Sequence, residues 1–181
     1  MRIVTISNNT SRIIILFICV FSLPGAGILA QDHKSPSEIK FESPADFRQY
    51  EEKLISDIHW LARTSRDTLA DVRKNKEEST IKWIYNCPYI RVVIEPYVMK
   101  LSSKNADLLL SFIFGYTLHN LNVPEDKDPV NANIAGLNML LNDYSGNMKL
   151  MNLDPLVDRL LVIRSSGSLH DYVHPNLSQQ K

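Results

Sequence analysis

Cysteine is nearly absent from this chain of 181 residues, which has only Cys19 and Cys87. Cys19 lies in a segment with the marks of a removable leader. Its loss leaves Cys87 alone, so no intramolecular disulfide can hold the fold. A lone cysteine is then expected to be buried as a small apolar side chain. An excess of charge of one sign is lacking too, with 20 Lys and Arg against 20 Asp and Glu. Such a balance leaves no electrostatic footprint for a polyanion, and nucleic acid is not expected as a partner. There is no glycine-rich phosphate loop, no G-x-S-x-G elbow and no paired-cysteine metal pattern. The usual sequence marks of phosphate binding, acyl transfer and structural zinc are therefore missing. No internal repeat is apparent, which leaves a solenoid unsupported.

What is present begins with an export signal. Arg2 and Arg12 make a positive n-region, Ile13 to Phe21 an apolar run, and Pro24-Gly25-Ala26-Gly27-Ile28-Leu29-Ala30 a breaking segment that ends on a small residue. This order predicts a signal peptide over residues 1–30, cleavage before Gln31, and a periplasmic or secreted protein. The alternative is an uncleaved anchor over residues 13–30, since that stretch is uncharged and approaches the roughly 20 residues a span requires. Cys19 follows Leu16-Phe17-Ile18 rather than small residues, so a lipobox is not indicated. Cleavage would remove 30 of the 181 residues and two basic side chains, leaving 151 residues with 18 basic and 20 acidic groups. That is the length of one ordinary domain with a single core, and no further membrane span is expected.

After a polar leader over residues 31–42, a helical domain is expected over 43–174, followed by a polar tail over 175–181. Ser43-Pro44-Ala45-Asp46 starts the first helix with a cap residue, a proline and an acid. Phe47, Tyr50, Leu54, Ile58, Leu61 and Ala62 give it an apolar stripe, while Glu51, Glu52 and Asp57 read as a solvated face. The charged run from Arg73 to Glu78 reads as a solvated turn or helix end, or as the middle of one long helix. Ile81, Trp83, Ile84 and Cys87 make a short helical segment that Pro88 stops.

Residues 90–95 change period. Ile90, Val92 and Ile94 alternate with Arg91 and Glu95, which predicts a β-strand bracketed by Pro88 and Pro96. Ser103 or Asn105 then caps a helix uncharged from Leu108 to Pro124. Its residues Leu110, Phe112, Ile113 and Phe114 are expected in the core, and Gly115 is expected to permit close backbone packing. Asp128-Pro129 and Asp154-Pro155 start two more helices, and residues 169–173 form a last turn. The fold class is mainly α: a single-domain helical bundle of about five helices with one short β element.

Lys82-Trp83, Pro88, the Val/Ile stretch, Pro96-Tyr97, Asp107-Leu108-Leu109 and the patch Phe112-x-x-Gly115-Tyr116-Thr117 together resemble an uncharacterised family of small secreted bacterial proteins, a domain of unknown function. The resemblance implies export and a mainly helical domain, and carries no activity with it.

Three groups of residues invite a chemical reading. His170 and His174 lie four apart around Asp171, as in the H-E-x-x-H zinc pattern. Asp is shorter than Glu, and Pro175 opposes helical geometry at His174, so a frayed turn with two surface histidines is the plainer reading. His119 or Glu95 could supply a further ligand. Cys87 with His59 or His119 could be a thiol and its base, but spacing alone does not bring them together. No cofactor is implied. The third group is the strand: a lone strand needs a partner for its backbone, either residues 38–41, a second copy of the chain, or an extended segment of another protein. On that reading Arg91 and Glu95 are the polar binding contacts. The expected function is that of an exported, non-catalytic binding or assembly protein of the cell envelope or extracellular space. The alternative is a small secreted metal- or thiol-dependent hydrolase.

Overall fold

The computed structural model describes residues 40–177, which fall within one compact unit, Lys34–Lys181. The expected signal peptide, the leader up to residue 39 and residues 178–181 lie outside the described residues. Proline sets the rhythm of the helices. Helices α1 (Pro44–Arg63), α3 (Pro96–Leu101), α5 (Pro129–Gly146) and α6 (Pro155–Ser165) all carry proline at their start. There the missing N–H costs nothing and the fixed φ is already helical. Helices α2 (Ala70–Asn86), α4 (Asp107–Asn122) and α7 (Leu169–Val173) complete the set, with short 3-10 turns at Met148–Leu150 and His174–Asn176. The described residues thus hold seven α-helices, where the sequence suggests about five.

The start signals act as their chemistry requires. In front of α1, the Asp46 carboxylate accepts from the backbone N–H groups of Ser43 at 2.7 Å and Glu42 at 2.9 Å. Asp128 and Asp154 accept from the N–H groups of Val130 and Leu156 at 2.9 and 3.0 Å, capping α5 and α6. Each such cap is worth about 1 kcal/mol. At α4 the expectation fails. Neither Ser103 nor Asn105 caps it, and Ala106 holds the N-cap position. Asn105 instead bonds Asn152, taking its backbone N–H and giving its amide to its carbonyl, both at 2.8 Å.

Among the described residues there is no β-strand, and the expected strand at 90–95 is corrected accordingly. Its alternation is real but serves another end. Val92 and Ile94 pack on one hydrophobic core, Ile90 packs on a second, and Arg91 and Val93 face a groove. The apolar residues are thus tacked to helices, and the backbone of Val93 finds the Tyr116 hydroxyl of α4 rather than a neighbouring strand. A period of two identifies an extended run, not its pairing.

The two cores lie on either side of α4. Leu108, Phe112 and Tyr116 join Tyr97, Val98 and Leu101 of α3, Leu137, Leu140, Leu141 and Tyr144 of α5, and Val157 and Val173 of α6 and α7. Phe114 and Leu118 join Phe47, Leu54 and Ile58 of α1 with Trp83 and Cys87 of the α2 end. Phe112 and Phe114 are buried as expected, while Leu110 and Ile113 are half-buried against the second core. Gly115 serves the close packing foreseen for it. A Cβ there would meet the Ala135 carbonyl oxygen at 2.5 Å, and one on Gly136 would meet the Phe112 ring at 2.7 Å.

The charged positions on α1 and α2 need a further correction. Asp57, expected on a solvated face, is only 3 % exposed. The reason is α2, which returns along α1 and brings Lys76 to one carboxylate oxygen while Lys53 takes the other at 2.5 Å. The run from Arg73 to Glu78 lies in the middle of α2 rather than in a turn. Arg73 is buried, giving its guanidinium to the carbonyls of Leu61 and Thr64 and so closing the end of α1. A buried cation there satisfies the orphan carbonyls, while the Arg73 Nε is itself buried without a hydrogen-bond partner among the described residues.

Candidate functional site

A groove of about 860 Å³ runs beside residues 89–93. One wall is Tyr89, Ile90, Arg91 and Val93; the other is the α4–α5 connection with Pro124, Asp126, Lys127, Asp128 and Pro129. Tyr116, Asn120 and Leu121 of α4 and Ala132 of α5 form the floor, and Arg48 of α1 closes one end. Each wall has its own anchor. On the first, Arg48 lies 3.8 Å over the Tyr89 ring and bonds Glu51 at 3.0 Å, while the Tyr89 hydroxyl donates to Glu51 at 2.6 Å. Burial, then that bond to a carboxylate, pushes the Tyr89 phenol upward, so it stays protonated and donating.

On the second wall, Asp126 organises the loop. It accepts from the Asp128 N–H at 2.9 Å and from the Asn131 amide at 3.0 Å, and it pairs with His119 at 2.9 Å. The backbone N–H of Asp128, then the Asn131 amide, hold its carboxyl below the usual range. Asp128 is engaged in capping α5. Both acids of the groove are therefore turned into the protein's own structure. The cations are engaged differently. Lys127 gives its ammonium to the Pro124 carbonyl, and Arg91, exposed, has no hydrogen-bond or ion-pair partner among the described residues.

Of the two binding contacts suggested by the sequence, Arg91 stands in the groove and Glu95 does not. Glu95 is 4 % exposed, and its backbone carbonyl starts α3 by accepting from Val98 at 3.0 Å. Its charge lies close enough to Tyr97 and Tyr116 to add to the upward push that burial gives their phenols. Glu95 is thus a buried helix-starting residue and not a surface contact.

The histidine pair does come together. His170 and His174 stack with ring centroids 5.8 Å apart, both exposed, on a helix of five residues that passes into a 3-10 turn at His174. Among the described residues no group of three or more His, Cys, Asp or Glu side chains is placed to hold a metal ion. His119 is committed to Asp126, and Cys87 is a buried free thiol at the end of α2.

Arg48, Tyr89, Tyr116 and Lys127 went unread as site residues. They come from four places in the chain, and nothing in their local spacing links them. No protein-family model matches this chain, and neither a curated protein nor a solved structure is found to be similar to it. No helix among the described residues is long and apolar enough to cross a membrane.

Proposed function

We propose that this is an exported, non-catalytic binding protein of the cell envelope or extracellular space, and that it takes an extended polypeptide segment in the groove beside residues 89–93. Export rests on the order of charge, apolar run and small-residue break in residues 1–30. The observation that carries the binding reading is the backbone of residues 90–94. It forms no hydrogen bond to another main-chain group among the described residues, and it borders a groove lined by polar and apolar side chains alike. Apart from Val93, which the Tyr116 hydroxyl holds, these residues keep main-chain donors and acceptors without a main-chain partner, and such a segment is a template for strand addition, in which a ligand's main chain supplies the bonds and pockets below read its side chains.

Hydrogen exchange tests this directly. With a pool of short peptides of mixed sequence in excess, the amides of residues 90–94 are expected to exchange more slowly while helical amides elsewhere are unchanged, and mass spectrometry is expected to recover the peptides uncleaved. Unaltered exchange at 90–94 with every peptide fraction would remove the strand-addition reading. Cleaved peptides would replace binding by hydrolysis.

A further inference from the structure

The histidine pair of the C-terminal turn is held more firmly than its spacing alone implies. We propose that His170 and His174 together bind one divalent transition-metal ion of the zinc class, in an open site on the surface of α7. Pro175 counts against such a site, because the residue before a proline is ordinarily pushed out of the helical region. The helical geometry survives it. His174 has φ −50° and ψ −49°, and its backbone N–H donates to the His170 carbonyl, so the helical repeat carries from one imidazole to the other. Packing fixes that register. Leu169 and Val173, each one residue ahead of a histidine, are buried in the core that α5 and α6 share. Two anchors four apart thus turn the next pair, also four apart, outward on one face. Beyond them, Tyr172 meets the Tyr97 ring edge-on with centroids 5.7 Å apart, and its carbonyl accepts from the Asn176 amide at 2.7 Å. The turn past His174 is therefore tied down at both ends.

The two rings are 5.8 Å apart between centroids, with planes 21° from parallel, and both are exposed. Neither has a hydrogen-bond partner among the described residues, unlike His119, which Asp126 holds. The outer torsion of a histidine is soft, so rotation about it brings one nitrogen of each ring to a common ion. Neutral imidazole suits zinc, copper and nickel, whereas calcium and magnesium take oxygen. Asp171 places Oδ1 3.7 Å from His170 Nδ1, too far for a hydrogen bond but near enough to favour a dication, and it leaves Nε2 for the metal. It is a neighbour and not a ligand, since no group of three or more His, Cys, Asp or Glu side chains is placed to hold a metal among the described residues. Two protein ligands are fewer than structural zinc takes, so water or an outside donor completes the shell and the ion exchanges freely.

The test titrates the whole chain with Zn²⁺, and separately with Ca²⁺, followed by calorimetry and by NMR of the histidine ring protons. One Zn²⁺ per chain is expected, with the ring signals of His170 and His174 shifting together, the other histidines unmoved, and no comparable binding of Ca²⁺. His170→Gln and His174→Gln are each expected to weaken Zn²⁺ by roughly a hundredfold, the advantage lost when the second bond no longer forms within one molecule. Both side chains are exposed, so circular dichroism should show intact folds. Binding is expected to fall as pH is lowered, because protons compete with the metal for neutral imidazole. Equal affinity in wild type and either variant would reduce the site to a single-histidine contact and overturn the proposal. Shifts at other histidines in place of the pair, or Ca²⁺ held as tightly as Zn²⁺, would overturn it as well. One Zn²⁺ to two chains, with a dimer in sedimentation, would make the site a shared one and overturn the open assignment.

Discussion

Leu69 is where a single residue stores the most accessible strain. It has φ 49° and ψ 54°, the one described residue other than glycine with a positive φ, and it is 61 % exposed. A Cβ in that region costs about 1–2 kcal/mol, and an exposed side chain returns little of it through burial. The backbone is held there because the Leu69 carbonyl accepts from Arg73 at 2.9 Å, and Arg73 is fixed in turn on the end of α1. Leu69→Gly is expected to stabilise the protein by roughly 0.5–1 kcal/mol, after allowing for glycine's greater freedom in the unfolded chain. The midpoint of denaturant unfolding measures it, and a lowered midpoint would show that the leucine side chain packs usefully. Buried charge was the least legible feature at this scale. Asp57 and Arg73 sit among polar neighbours in sequence, and only the return of α2 along α1 covers them. A single-helix pattern contains no information about a second helix.

At the scale of elements, the crossing of α4 and α5 is the tightest constraint. A methyl group on residue 115 would overlap a backbone oxygen of α5, which cannot rotate away as a side chain can. Gly115→Ala gains up to about 1 kcal/mol of helix propensity. It is nevertheless expected to destabilise by roughly 1–3 kcal/mol net, because the helices must move apart. Thermal unfolding checks it, and a rise in Tm would mean that the crossing has slack. Elements announced by proline and a capping acid were readable, as α1, α5 and α6 show, since those signals act within one turn. Six-residue α3 escaped because it is too short for a periodic stripe, and Pro96 was read as the end of a strand rather than the start of a helix. The extended run at 90–95 was recognised by its period, but its partner is a tyrosine hydroxyl remote in sequence. Of the groove, only Arg91 was legible, since its opposite wall belongs to a loop with no pattern of its own.

For the whole molecule, tyrosine sets the alkaline limit. Five of the seven tyrosines, at positions 89, 97, 116, 144 and 172, have phenols raised above the ordinary value of 10.0, in every case chiefly by burial. A raised folded pKa means that the neutral phenol is favoured in the folded state. Its stabilisation is complete below about pH 10 and is lost as pH climbs toward the folded values. Stability is expected to hold up to about pH 10 and to fall above it, with phenolate absorbance appearing together with loss of helical circular dichroism. Smooth ionisation of all seven near the ordinary phenol value, with the helices intact, would contradict this account of the cores.

The position of α4 between the two cores also decides when folding can occur. The hairpin of α1 and α2 ends at Asn86, and the aromatic and aliphatic faces of Phe47, Leu54 and Trp83 are completed by Phe114 and Leu118. A chain made from its N-terminus exposes that hairpin for some time before its missing wall exists. Closing contacts so distant in sequence is slow. If the chain is exported unfolded, the delay is useful: the first half stays loose until α4 arrives, and both cores then close on the same helix.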